Sequence, residues 1–95
     1  MKIVLLARAL RDAEEIYGFI ARDDPSAANS VIARITRSLR LIETNPNIGH
    51  PIPGKPSREW SVPGLPYLIP YRVRAGQIEV LRIYHTRRKK PKDWT

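Results

Sequence analysis

An α+β fold, with a helical hairpin packed on one face of a small and mostly antiparallel sheet, is predicted by three features of the chain. A short apolar run opens it, two helical periodicities follow without a gap, and strand-length alternations punctuated by turn residues fill the second half. The expected order is β-α-α-β-β-β. Ninety-five residues without a composition break suit a single domain over 1–95.

The first element, KIVLLA at 2–7, is too short for a core helix and rich enough in Ile, Val and Leu for a strand covered on both faces. From about Arg8 the period changes. Leu10, Ala13, Tyr17 and Ile20 recur at three and four, flanked by Ile16 and Ala21, while Arg11, Asp12, Glu14, Glu15 and Arg22 take the opposite side. This amphipathic helix ends near Asp23, and Asp24-Pro25 restarts the chain as N-cap and N1 of a second one. Ala28, Val31, Ile32, Ile35, Leu39 and Ile42 form its stripe, and Asn45-Pro46 stops it.

Four prolines and two glycines between 46 and 57 make a crossing loop of low conformational entropy. Three strands follow, REWSV at 58–62, PYLIPYRVR at 66–74 and QIEVLRIYHT at 77–86, the last two joined by a tight turn at Ala75-Gly76. Pro70 donates nothing to a ladder and so marks an edge, a bulge or an irregular face.

The net charge of +8 points to an acidic partner, either nucleic acid or an acidic protein. Residues 58–95 carry +6 of it. On the strand at 66–74, Tyr67, Ile69, Tyr71 and Val73 share the core face and Leu68, Pro70, Arg72 and Arg74 the other. On the last strand Leu81 and Ile83 continue the core, leaving Val80, Arg82, Tyr84 and Thr86 outward. The candidate site is therefore a basic outer face of Arg72, Arg74, Arg82 and Tyr84, extended by Arg87, Arg88 and Trp94, suited to phosphate contact and to stacking. The alternative is a solvated face whose arginine stems cover apolar surface. His85 shares the parity of Leu81 and Ile83, so it is expected to close the core rather than act as a general base, a placement that a bulge reversing the register would change. His50 is expected to be exposed in its loop, Trp60 to pack, and Arg34, Arg37 and Arg40 to form a solvated helix face.

There is no cysteine, no glycine-rich phosphate loop, no HExxH and no carboxylate cluster, so neither a metal nor a nucleotide cofactor is expected. Arg8 and Arg11 interrupt the first apolar run before it could serve as a signal core or membrane span, and a cysteine-free chain fits the cytoplasm.

RALRDAEEIYGFIARDDPSAA, NPNIGHPIPG, REWSVPGLPYLIPYRV and IEVLRIYHTRR, in this order, resemble the RelE/ParE superfamily of type II toxin-antitoxin toxins over nearly the whole chain. The resemblance implies a small basic toxin, causing growth arrest and neutralised by a cognate antitoxin that wraps its helices and sheet. Members similar to RelE are ribosome-dependent mRNA endonucleases; those similar to ParE poison DNA gyrase. Ribonuclease members place an arginine after the first tyrosine of Y-x-x-x-Y-x-V, where this chain has Leu68, and lysines where it has Glu59, Trp60 and Ser61. Arg87 or Arg88 matches their arginine beyond the last strand, and Trp94 a following aromatic. A ribonuclease would draw on Arg72, Arg82, Tyr84, His85, Arg87 and Arg88, yet cleavage through a 2′-hydroxyl needs a base and an acid as well as cations. The expected function is therefore ParE-like gyrase poisoning without hydrolysis. The alternatives are the mRNA endonuclease and a non-toxic nucleic-acid-binding relative.

Overall fold

The computed structural model describes residues 1–87. They form β1 (Lys2–Leu5), α1 (Ala7–Ala21), α2 (Pro25–Thr44), β2 (His50–Pro51), β3 (Ser57–Ser61), β4 (Tyr67–Arg74), β5 (Gln77–Val80) and β6 (Tyr84–His85). The strands run β1-β5-β4-β3-β2 across one sheet, with β6 paired to β4 beyond the end of β5. Among the described residues only the β1–β5 pair is parallel. The helical hairpin packs on one face, as the α+β order requires.

β1 lies at the sheet edge, and its apolar residues are half-buried instead of covered on both sides. Glu43 of α2 accepts the backbone N–H of Ile3 at 3.2 Å, which occupies a donor on the strand. The stripe of α1 is turned from the expected one. Ala9 is fully buried and Leu10 is 52% exposed, so the inward line runs through Ala9, Ala13, Ile16 and Ile20. α2 starts and stops at its expected caps: Asp24 accepts from the Ala27 N–H at 3.1 Å, Pro25 is the first helical residue, and Asn45 is the C-cap. Ala28, Ile35 and Ile42 are buried along its stripe. Arg34, Arg37 and Arg40 are exposed, and Arg34 reaches across to donate to the Pro63 carbonyl at 2.7 Å.

β4 is the spine of the sheet. On the helix side it contributes Ile69 and Tyr71, both fully buried, while Val73 at its end is 49% exposed. The Tyr71 hydroxyl donates to the Pro46 carbonyl at 2.7 Å and accepts from the Gly49 N–H at 2.9 Å, pinning the proline-rich crossing to the core. Burial raises the Tyr71 pKa above its ordinary value. The same crossing yields the short β2, whose His50 and Pro51 pair with Glu59 and Arg58. At the β4–β5 turn Ala75 and Gly76 both adopt positive φ, 54° and 75°, as the expected two-residue hairpin demands.

The last strand is not continuous. Tyr71 faces Val80 on one side of the break and Leu68 faces Tyr84 on the other, so Ile69 and Pro70 of β4 oppose three residues, Leu81, Arg82 and Ile83. One extra residue makes this a β-bulge. Leu81 N–H bonds the Pro70 carbonyl at 2.9 Å, and in an antiparallel ladder a residue's N–H and C=O point the same way. The N–H that Pro70 lacks would therefore have pointed at the bulge, where the ladder is interrupted. Proline stands in a central strand at the place where its missing donor costs least.

Candidate functional site: two surfaces divided by the bulge

The register assigns side chains to faces. Tyr71–Val80 and Val73–Ile78 are pairs on the helix side, so Val80 faces the core, not outward as expected. Arg82 is likewise corrected: its Nε and a terminal nitrogen donate to the two carboxylate oxygens of Asp12 on α1, at 2.8 and 3.1 Å, which places it on the helix side, away from Arg72 and Arg74. Ile83 also joins the core, and its N–H donates to the same Asp12 carboxylate at 2.9 Å. Two consecutive inward residues are what a bulge permits. Beyond it Tyr84 faces the outer side and His85 the helix side.

The outer face gathers Glu59, Arg72, Arg74, Glu79 and Tyr84, with His50 directly across from Glu59 at the β2 edge. It is not the purely basic patch expected. Arg72 donates to Glu79 at 2.9 Å, and this bond holds the Glu79 carboxyl below its ordinary value. Tyr84 is buried and donates to Glu59 at 2.9 Å. Desolvation, then the bond to Glu59 and its charge, push the Tyr84 pKa well above that of a free phenol, so the group is a proton donor throughout the neutral range. Pro70, on the same face, is also buried. Arg74 is exposed at the rim.

The second surface is a groove of about 450 Å³ between α1 and the β4–β6 end of the sheet. Ile16, Phe19, Ile20, Tyr67 and Ile83 make its walls apolar, and Glu15, His85 and Arg87 add charge and polarity at the margin. Phe19 is 64% exposed there, a large side chain left out of the core. His85 meets the Tyr67 ring edge to face at 5.6 Å, and its Nδ1 accepts the Arg87 N–H at 3.0 Å. His85 thus lines a groove instead of closing the core, and Arg87 is divided from the outer-face arginines. Arg88 and Trp94 lie outside the described residues.

Comparison with known proteins accords with the fold. Residues 3–90 match the family described as the ParE toxin of the type II toxin-antitoxin system parDE. The chain belongs to the ParE toxin family. A curated relative named "Putative toxin Y4kP", from Sinorhizobium fredii, is 38% identical over 84 residues, covering 88% of this chain and 86% of that one. In fold, this ParE-like toxin is similar to a solved chain of the chromosomal ParDE TA system from P. aeruginosa, with a TM-score of 0.79 at 23% identity over 90% of this chain and 95% of the other. No helix among its described residues is long and apolar enough to cross a membrane.

Three residues of these surfaces carry no mark in the linear pattern. Asp12 reads as one of several charges on the outward side of a helix. Phe19 falls beside the predicted stripe, and Glu59 falls in a five-residue strand whose facing partner is fixed only by the hairpin register. The one usable clue is Pro70, which announces an irregularity without giving its position on the opposite strand.

Proposed function

We propose that this ParE-like toxin arrests growth by binding and poisoning DNA gyrase in the cytoplasm, and that a cognate antitoxin neutralises it by seating an apolar segment in the α1–β6 groove. The observation that carries the reading is the charge balance of the outer face among the described residues. Arg72 and Arg74 are matched there by Glu59 and Glu79, with Arg72 committed to Glu79 and Arg82 turned away to Asp12. A phosphorane needs a concentrated cationic cage, and a face of balanced charge suits a protein surface better than a phosphodiester. The groove, with Phe19 exposed on an apolar floor, has the character of a peptide-docking site.

A second reading has one observation in its favour. Glu59 and Tyr84 form a carboxylate–phenol pair on the outer face, the acceptor and donor that general acid-base cleavage of RNA would require. Purified toxin separates the two. Inhibited supercoiling with accumulation of cleaved DNA is expected, and mRNA cuts that appear only on ribosomes would replace the gyrase reading with the endonuclease.

A further inference from the structure

We infer that Asp12 is a positioning residue for the target surface: it clamps the bulge between β5 and β6 and so decides which side chains β6 presents on each face. One carboxylate accepts three hydrogen bonds, two from the Arg82 guanidinium and one from the Ile83 backbone N–H, both residues among the three that oppose Ile69 and Pro70 of β4. A bulge leaves a backbone donor without a ladder partner, and Asp12 supplies the acceptor from another element, seventy positions earlier in the chain for Arg82.

The consequence for register is large because strand side chains alternate with period two. If the hairpin register of β5 continued without the extra residue, Tyr84 would stand opposite Tyr67 on the helix side and His85 would turn outward. With the bulge clamped, Tyr84 reaches Glu59 on the outer face and His85 reaches Tyr67 in the groove. Arg82 and Asp12 are 20% and 11% exposed at their side chains, so the pair is partly shielded and each charge has its counterpart within bonding distance. Breaking it leaves a partly buried guanidinium and an orphan N–H together, which favours expulsion of the extra residue. This inference rests on the reading of the outer face as the target surface.

The test is Asp12→Ala in the full chain, followed by amide hydrogen exchange, by cross-peaks between Leu68 and Tyr84, and by growth arrest on induction. The clamp predicts Ile83 exchange accelerated about tenfold relative to Ile78 and Val80, loss of the Leu68–Tyr84 cross-peaks, and loss of growth arrest. Unchanged cross-peaks, or protection lost equally across β5, would overturn it. If the alanine variant does not fold, Asp12→Asn carries the test. Its amide oxygen, in the place of Oδ2, can still accept from the Ile83 N–H and from Arg82 Nε, while its NH2 group meets the Arg82 terminal nitrogen that donated to Oδ1. Ile83 must therefore remain protected while the Arg82 terminal Nη protons exchange faster, and unaltered Nη exchange contradicts the clamp. Altered register with growth arrest retained would leave the clamp standing and refute the outer face as the target surface.

Discussion

Individual side chains in this protein mostly act by satisfying backbone groups far away in sequence. Tyr71 ties the proline-rich crossing to the sheet, and the fit leaves no room: a Cβ at Gly49 would lie 2.7 Å from the Tyr71 hydroxyl oxygen and 2.8 Å from its ring. Gly49→Ala is therefore expected to cost about 1–3 kcal/mol through overpacking and a displaced hydrogen bond, measurable as a lower urea midpoint at unchanged slope. A wild-type midpoint would mean that the crossing yields freely. The Arg72–Glu79 bond makes a pH-dependent prediction. Because the Glu79 carboxyl is held below its ordinary 4.5, the unfolded chain binds its proton first, and the stabilisation is complete above about that pH and fades as pH falls through the lowered value. Wild type should exceed Glu79→Gln in stability at pH 7 and lose that advantage at pH values below the lowered pKa. An equal gap across the range would show that the bond contributes no proton linkage.

At the scale of elements, the helices were legible and the last strand was not. The α2 boundaries follow from Asp24-Pro25 and Asn45, local devices whose physics needs no partner, and Asp24→Ala should lower unfolding free energy by about 1 kcal/mol in chemical denaturation. The β4–β5 turn was equally local, although Ala75 bears a positive φ that a side chain disfavours. Ala75→Gly is expected to stabilise by about 0.5–1 kcal/mol in the same assay, and a loss of stability would mean that the turn's strain is compensated elsewhere. The bulge, in contrast, depends on Asp12 and on the blank that Pro70 leaves in the ladder, contacts that periodicity cannot carry. Taking Leu81 and Ile83 as the core face of 77–86 misassigned Val80 and Arg82, which the hairpin register already turns to the helix side, and put Arg82 beside arginines it does not meet; the bulge is what then leaves Ile83 inward and Tyr84 outward. The α1 stripe slipped by one position for a related reason: the helix is half-covered, with a groove on one flank where Phe19 stays outside the core.

For the whole molecule, the two readable surfaces lie on opposite sides of one short strand. Tyr84 belongs to the outer face and His85 to the groove, so neighbouring residues serve different surfaces. The sequence indicated a basic protein of this family with an acidic partner, but the charge total concealed that, among the described residues, the outer face is locally balanced. With gyrase proposed at the outer face and the antitoxin in the groove, the two activities are separable. The most direct measurement is a supercoiling assay on wild type, Tyr84→Ala and Phe19→Asp, each with and without the antitoxin. Wild type should block supercoiling and be rescued by antitoxin, Tyr84→Ala should lose inhibition while folded, and Phe19→Asp should inhibit but resist rescue. Full inhibition by Tyr84→Ala together with normal rescue of Phe19→Asp would contradict the assignment of both surfaces.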